Sequence, residues 1–367
     1  MNPLDPRGAP AQRFPLVPRQ RPACLPLPAR LRALTDLADR AVGRADPVLA
    51  STTHNQAALL ASDLALPDLA RDLCHQHARA LLGSCPLPAK GAIRALEPLV
   101  NLARLQIRAQ QGQHGHHLLL DLYEAVRTGT SVTLDDITVP ANLTATAKDR
   151  HTVCEWLWRV LLGDGTRAFT SGGRWAEALA HLQEHKGVGM RMLDGRQVAV
   201  IAALTASDAS AAAELLETTA PGELWEQAVA ACLTALLHPP DKPAIWRLIG
   251  EALTLETEPG TAVFHIRLRL TILDLAGDAR EHEFAARRVV DGLHRFTMWA
   301  NDGYAARESL SHPVFNSLAT EQQRADCRAL VTTCALGTGQ LLDREYAQLM
   351  HAVHASGNLL RNPTHHA

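Results

Sequence analysis

The sequence predicts an all-α protein built from helix–turn–helix pairs, and three observations lead to this class. The chain of 367 residues is 47% hydrophobic but only 4% aromatic. This composition, rich in Ala and Leu, favours close-packed helices over strands. From Leu31 onward, apolar residues recur at the spacing of amphipathic helices. Short turns with Gly, Pro or Asp separate these helices, as in αα-hairpins.

The overall charge and hydropathy exclude several classes of protein. With a formal net charge of -2 and no general Lys/Arg excess, the chain is not a basic nucleic-acid binder, so we expect no direct nucleic-acid contact. The hydrophobic fraction is too high for wholesale disorder. No window has the roughly 18 to 20 uninterrupted apolar residues of a membrane span, so we expect no membrane insertion.

Compartment is inferred from the termini and the cysteines. The amino terminus has no apolar signal-peptide core. The seven cysteines are odd in number and scattered, unlike the dense, even set of a disulfide framework. We therefore expect free thiols and a cytoplasmic protein.

The first residues differ in composition from the rest. Eight of the 21 prolines fall within residues 1–28, and every charge between Asp5 and Asp36 is positive. Proline fixes its own φ and disfavours helix in the preceding residue. We expect residues 1–30 to form a flexible Pro/Arg-rich tail. The alternative is a polyproline-type segment offered to a partner through Pro15-Leu16-Val17-Pro18.

The helical pairs recur along the chain, although their spacing is irregular. Each pair leaves one apolar face that a stacked neighbour must bury, which favours a solenoid. We expect helical repeats over residues 31–127 and 151–360, followed by a flexible tail at 361–367. Turns between helices are predicted near Leu66-Pro67, Gly112, Gly173, Ser207 and Gly277.

The stretch from Thr166 to Ala178 carries a family resemblance. Ala168, Gly173, Trp175 and Ala178 fill places comparable to the small residue, turn glycine, aromatic and alanine of a tetratricopeptide repeat. The chain as a whole resembles tetratricopeptide-like proteins of high-GC actinomycetes, some of which accompany regulators. That resemblance implies a right-handed superhelix of stacked αα-hairpins. It carries over no catalytic residue.

Residues 128–150 interrupt the helical pattern. Ser131-Val-Thr-Leu134 and Ile137-Thr-Val139 are rich in β-branched residues and flank Asp135-Asp136, which predicts an extended insertion or short β-hairpin. We interpret the insertion as a linker between an amino-terminal and a carboxyl-terminal set of repeats. The alternative is a lid over a pocket.

Two groups of histidines have spacings that resemble those of metal ligands. His181, Glu184 and His185 match H-x-x-E-H on a helix, but the α/β context of such peptidases is missing. Three further imidazoles lie at one turn, where no fourth ligand follows closely. We expect no metal and no cofactor, and retain as weak candidates His114, His116, His117, His181 and His185. Cys74 with His75 and His77 is interpreted as a core thiol beside two surface histidines.

Polar and aromatic residues within the helices are the candidates for a ligand-binding groove. Arg and Trp are common anchors for acidic or peptide ligands. We expect a scaffold that binds a protein or peptide partner, regulatory or accessory in role, without catalysis of its own and able to form a homo-oligomer. The alternative is an α-helical small-molecule site or enzyme. The candidate partner-binding residues are Asn101, Arg104, Arg167, Gln197, Trp225, Gln227, His265, Arg267 and Arg269.

Overall fold

A computed structural model describes residues 3–361 apart from positions 239, 259 and 277–282. It is predominantly helical with one small sheet, which confirms the all-α class. Residues 362–367 of the expected tail and the turn predicted near Gly277 lie outside the described residues. The helices are α1 (Ala9–Gln12), α2 (Leu27–Arg44), α3 (Pro47–Asp63), α4 (Pro67–Leu82), α5 (Ala89–Arg108), α6 (Gly112–Thr128), α7 (Ala147–Val160), α8 (Thr166–Thr170), α9 (Trp175–Glu184), α10 (Asp194–Thr205), α11 (Ala209–Glu217), α12 (Leu224–Leu237), α13 (Lys242–Thr254), α14 (Ala262–Ala276), α15 (Glu283–Ala300), α16 (Gly303–Leu310), α17 (Pro313–Leu318), α18 (Glu321–Thr333) and α19 (Asp343–Arg361).

Helix starts follow capping chemistry. The Asp46 carboxylate accepts hydrogen bonds from the backbone N–H groups of Val48 and Leu49 at the start of α3. Thr146 caps α7 through Asp149 N. Side-chain acceptors at these positions satisfy backbone donors that have no partner within the helix. The turns predicted near Gly112, Gly173 and Ser207 all lie between helices.

The chain divides into two compact units, each made of discontinuous segments. One comprises Leu27–Ser171 with Ala335–Ala367 and is called here the 27–171 unit. The other comprises Met1–Pro26 with Gly172–Cys334 and is called the 172–334 unit. The boundary therefore falls at 171/172 and not in the 128–150 insertion, so the expected division at the insertion is wrong. The two helices of the stretch from Thr166 to Ala178, α8 and α9, belong to different units.

In the 27–171 unit, consecutive helices pack on one another from α2 to α7, as expected for linked αα-hairpins. The last helix, α19, packs back on α2, α3 and α4. Its Leu349, Ala352 and Val353 are buried in the same hydrophobic cluster as Leu60 and Leu96. An apolar helix face at the end of an array needs such cover, and α19 supplies it for the first helices.

The predicted β-hairpin is confirmed. Strands β1 (Val132–Leu134) and β2 (Ile137–Val139) pair antiparallel, with Leu134 opposite Ile137. Asp135 and Asp136 both have positive φ, 46° and 62°, which suits a tight two-residue hairpin turn. Leu134, Ile137 and Val139 belong to the hydrophobic core of the 27–171 unit. The insertion is therefore part of this core, which corrects its interpretation as a linker.

In the 172–334 unit, α10 packs on α9 and α11, and α14 packs on α12, α13, α15 and α16. Residues 3–26 belong to this unit. Ala11, Phe14, Leu16 and Cys24 are buried. The expectation of a flexible tail is therefore wrong, because these apolar side chains alternate with the prolines and arginines and are removed from water by helices far along the chain.

Among the described residues, no helix combines the length and the apolar character needed to cross a bilayer.

Candidate functional site

The most extensive polar contacts of the 172–334 unit surround its own first residues, 3–26, called here the amino-terminal segment. After the short helix α1, residues 14–24 contain no helix or strand. The side chains of Phe14 and Leu16 are 3% and 2% exposed. An extended chain leaves its backbone groups without local partners, so these groups must be satisfied by the surrounding helices.

Gln197 satisfies the backbone at the centre of the segment. It lies on α10 and is fully buried. Its Oε1 accepts from the Leu16 N–H at 2.6 Å, and its Nε2 donates to the Leu16 carbonyl at 2.9 Å. Nε2 also donates to the Met192 carbonyl at 3.0 Å. A single amide thus pairs with both backbone groups of one residue, as a neighbouring strand would.

The segment's buried cation is Arg13, which forms an ion pair with Asp274 of α14. The other Asp274 oxygen, Oδ1, lies 2.8 Å from His312 Nε2. Burial lowers the pKa of Arg13 to about 10 despite the nearby negative charge of Glu308. Burial, with the charge of Arg13, lowers the pKa of His312 to about 4. His312 is therefore neutral near pH 7, and its Nδ1 accepts from the Phe315 N–H at 3.3 Å.

Glu308 and Arg267 add a second ion pair beside Arg13. Arg267 Nη2 lies 2.6 Å from Glu308 Oε1. Burial alone would raise the pKa of Glu308, but the charge of Arg267 and its hydrogen bond more than offset that effect, and the pKa is lowered. The carboxylates of Asp274 and Glu308 thus face the guanidinium groups of Arg13 and Arg267, with one of those cations supplied by the amino-terminal segment.

Two further arginines of the segment have partners in the same unit. Arg19 Nη2 lies 2.6 Å from Asp194 Oδ1, with the Arg19 side chain 46% exposed. The guanidinium carbon of Arg21 lies 3.7 Å from the centre of the Tyr304 ring, a cation–π contact. The Arg21 N–H donates to the Gly260 carbonyl at 3.1 Å.

The end of the segment is bound through its backbone. Asp302 Oδ1 accepts from the Cys24 N–H at 3.2 Å. The Cys24 carbonyl accepts from the Gly303 N–H at 2.8 Å and from the Cys334 thiol at 2.9 Å. Burial raises the pKa of Asp302, although three backbone hydrogen bonds and Arg21 oppose that effect.

The start of the segment contacts two residues between Thr166 and Ala178. Trp175 Nε1 donates to the Pro6 carbonyl at 2.9 Å. A Cβ at Gly173 would lie 2.8 Å from the Arg7 side chain and 2.9 Å from the Pro6 carbonyl oxygen. Gly173 also has a positive φ of 73°. The glycine therefore serves both the turn and the close approach of the segment.

The remaining sequence-predicted residues of this unit have partners of their own. Trp225 Nε1 donates to Glu223 Oε2 at 2.9 Å, and its ring meets Phe264 edge to face. Gln227 is exposed and donates to the Gly222 carbonyl at 3.1 Å. Neither residue has a recorded hydrogen bond to the amino-terminal segment, whereas Gln197 binds the segment directly and Arg267 pairs with Glu308 beside it.

Two predicted residues lie in the core with unsatisfied atoms. His265 is 2% exposed, and among the described residues its Nδ1 has no hydrogen-bond partner. Burial first, and then Arg269, lowers the pKa of His265 to about 4. Arg269 is 7% exposed, and its guanidinium lies 4.5 Å from the Phe296 ring centre. No described residue pairs with its Nε or Nη1. Burial lowers the pKa of Arg269 to about 10.

The other three predicted residues belong to the 27–171 unit. Arg104 donates to Asp164 Oδ2 through Nε at 3.0 Å and Nη2 at 2.7 Å, and its Nη1 donates to Asn101. Asn101 Nδ2 donates to Asn55 Oδ1 at 3.1 Å. Arg167 is exposed on α8. The predicted set is thus divided between the two units.

The histidine candidates form ring contacts. The His116 ring lies 4.7 Å from the Phe169 ring, and the rings of His181 and His185 are 4.7 Å apart. His114 and His117 are exposed on α6. Within the part of the chain that the structure describes, no group of three or more His, Cys, Asp or Glu side chains is placed to hold a metal.

The histidines of α4 are buried, not surface residues as the sequence suggested. His77 Nε2 lies 2.9 Å from Ser51 Oγ. Burial first, and then His54, lowers the pKa of His77 to about 3. His75 Nε2 lies 3.0 Å from Asp135 Oδ2 at the hairpin turn. The hairpin covers His75. The spacing of the residues within α4 does not indicate this contact.

Sequence reasoning missed the role of the amino-terminal segment. The one signal was the alternation of apolar residues with prolines and arginines, in particular Phe14 and Leu16 around Pro15. Alternation of this kind is typical of a half-buried extended chain.

None of the protein-family models, curated proteins or solved structures compared with the chain matches it.

Proposed function

We propose that the 172–334 unit is a helical peptide-binding scaffold whose ligand is an extended, arginine-containing segment. In this proposal the amino-terminal segment occupies the site, and a partner of similar chemistry competes with it. The helical pairs would stack as a tetratricopeptide-like, right-handed superhelix. The role would be regulatory or accessory.

The observation that carries the proposal is the pairing of Gln197 with Leu16. Hydrogen bonds to the main chain recognise an extended peptide independently of its sequence, while pockets for side chains supply specificity. Leu16 is 2% exposed, so water does not compete for these bonds.

Charge supports the choice of ligand. Asp274, Glu308 and Asp194 are the carboxylates of helices that surround Arg13 and Arg19. A segment without arginine would leave Glu308 with Arg267 and Arg307, but Asp274 would keep only the hydrogen bond to the neutral His312. The Asp274 carboxylate would then lack a cation, a cost expected for a buried charge without full compensation. The ligand class is therefore an extended segment with a buried arginine three residues before a buried apolar residue, as Arg13 precedes Leu16.

The test uses a full-length chain with a protease recognition sequence inserted after Pro26. Cutting this site leaves the segment held by non-covalent contacts alone. A fluorescent peptide of residues 4–26 is then added, and its uptake is followed by polarisation. We expect exchange of the peptide into the cut protein while the 172–334 unit stays folded, and much weaker uptake by the uncut protein.

Two controls make the result specific. Gln197→Ala should weaken peptide uptake by about tenfold or more, whereas Gln227→Ala, an exposed glutamine of the same unit, should not. A peptide carrying Arg13→Ala should also bind weakly. If exchange occurs only at the rate of global unfolding, with the same urea dependence, the segment is part of the core and the proposal is wrong.

A further inference from the structure

The 27–171 unit contains a cavity of about 580 Å³ between α6 and α7. This volume lies within the roughly 300–1,000 Å³ range of small-molecule sites. On α7 the lining residues recur at helical spacing and so share one face of that helix. Val153 and Leu157, which lie on the core side, are buried instead. The lining residues are Tyr123, Arg127, Ala147, Arg150, His151, Cys154, Glu155, Trp158 and Arg159.

Positive charge exceeds negative charge in the cavity wall. Arg127 is paired with Glu124, at 2.5 Å between Nη2 and Oε2. His151 Nε2 lies 3.3 Å from Glu155 Oε1. By contrast, the side chains of Arg150 and Arg159 form no recorded hydrogen bond or ion pair with the described residues. Two guanidinium groups therefore remain available to an anion.

The Arg150 side chain reaches the end of α6. A Cβ at Gly129, the residue that follows this helix, would lie 2.4 Å from Arg150 Nη1. The guanidinium thus lies beside the end of the helix that carries Arg127. Arg159 is at the other end of the α7 face, two and a half turns or about 13.5 Å away from Arg150 along the helix.

Between the two arginines, the wall presents two aromatic side chains. Tyr123 on α6 and Trp158 on α7 are both half-buried lining residues. Aromatic faces contact planar rings well, and guanidinium groups pair with carboxylate or phosphate. Cys154 lies on the same face of α7. Burial raises the pKa of its thiol, so it adds no negative charge near pH 7 that would repel an anion.

We propose that this cavity binds a small planar anion, namely an aromatic ring that carries a phosphate or carboxylate group. Arg150 pairs with the anionic group, Tyr123 and Trp158 contact the ring, and Arg159 adds positive charge from the other end of the α7 face. The site is independent of the peptide scaffold, because every lining residue belongs to the 27–171 unit. It fits the alternative expectation of a small-molecule site: Ala147 and Arg150, from the 128–150 region, form part of its wall.

The test is calorimetric titration of the full-length protein at low ionic strength with four probes: AMP, benzoate, adenosine and inorganic phosphate. We expect AMP, benzoate or both to bind with one site per chain. Adenosine lacks the anionic group, and inorganic phosphate lacks the aromatic ring. Each should therefore bind about tenfold more weakly or not at all. The AMP and benzoate arms distinguish a phosphate from a carboxylate ligand.

Variants assign the binding to this cavity. Arg150→Gln should weaken binding by about tenfold. Arg159→Gln should weaken it less, and Trp158→Phe should retain most of it. The matched control is Arg40→Gln, an exposed arginine of the same unit. The proposal is overturned if neither AMP nor benzoate binds at about 10 mM, if Arg150→Gln binds like wild type, or if inorganic phosphate binds as tightly as AMP.

Discussion

Gln197 and Leu16 are 181 positions apart in the chain, yet the amide of Gln197 pairs with both the N–H and the carbonyl of Leu16, at 2.6 and 2.9 Å. Both residues are almost completely buried. The stability of the 172–334 unit and the position of the amino-terminal segment therefore depend on the same side chain.

Replacing the Gln197 side chain is expected to destabilise the 172–334 unit. Gln197→Ala leaves the Leu16 N–H and carbonyl buried without partners, and each unsatisfied group costs about 1–3 kcal/mol. We expect the free energy of unfolding of the 172–334 unit to fall by about 2–4 kcal/mol. Urea unfolding followed by tryptophan fluorescence measures this, since Trp175, Trp225, Trp246 and Trp299 all lie in that unit. Gln227→Ala should change it by less than about 0.5 kcal/mol.

The Arg13–Asp274 and Arg19–Asp194 ion pairs should contribute differently to the free energy of unfolding. Asp274→Asn leaves Arg13, whose side chain is 8% exposed, without its carboxylate. Breaking a buried pair costs about 3–5 kcal/mol. Asp194→Asn breaks a pair whose arginine is 46% exposed, which is worth about 1 kcal/mol or less.

Limited trypsin digestion separates these two variants. We expect rapid cleavage after Arg13 in Asp274→Asn, because the segment opens more often, and near wild-type cleavage in Asp194→Asn. Equal cleavage in the two variants would show that the buried ion pair does not hold the segment.

His77 should make the 27–171 unit sensitive to acid. Its pKa is about 3 in the folded chain and about 6.5 when unfolded. Between these values the unfolded chain binds more protons, so this contribution to stability is complete above about pH 6.5 and is lost as the pH falls towards 3. The slope is about 1.4 kcal/mol per pH unit.

Urea titrations between pH 7.5 and pH 4.5, followed by circular dichroism, measure this slope. We expect His77→Gln to reduce it. Ser51→Ala removes the hydrogen-bond partner of His77 but keeps the imidazole, so it should lower stability without removing the slope. An unchanged slope in His77→Gln would contradict the assignment.

Arg269 should be replaceable by an apolar residue. Its guanidinium is buried, and two of its nitrogen atoms have no partner in the part of the chain that the structure describes, a state that costs free energy. We expect Arg269→Met to leave the free energy of unfolding unchanged or to raise it by about 1 kcal/mol or more. A loss of more than about 1 kcal/mol in thermal or urea unfolding would mean that the guanidinium has a favourable buried partner.

The parts of the fold that the sequence predicted are those determined by neighbouring residues. The hairpin at 132–139 follows from β-branched residues on both sides of Asp135-Asp136, and the helices follow from local periodicity and caps. These signals act over a few residues, so they can be recognised without knowing the rest of the structure.

What could not be predicted depends on residues far apart in the chain. Pro-rich composition suggested a flexible tail, because nothing near residue 16 indicates that Gln197 will bind it. Gln197 itself was a candidate ligand-binding residue, but the sequence did not say that the segment it contacts belongs to the same chain. Likewise, the burial of His75 depends on Asp135 in the hairpin, 60 positions away.

Each of the two units is made of segments that are far apart in the chain. This organisation affects folding while the chain is being synthesised on the ribosome. Residues 3–26 are synthesised some 250 residues before their partners Asp274 and Asp302. Helix α2 likewise packs on α19, the last described helix, and lacks this partner until α19 has been synthesised. During translation, Phe14, Leu16 and the uncovered face of α2 are exposed together, which makes the nascent chain a natural client for chaperones that hold apolar segments.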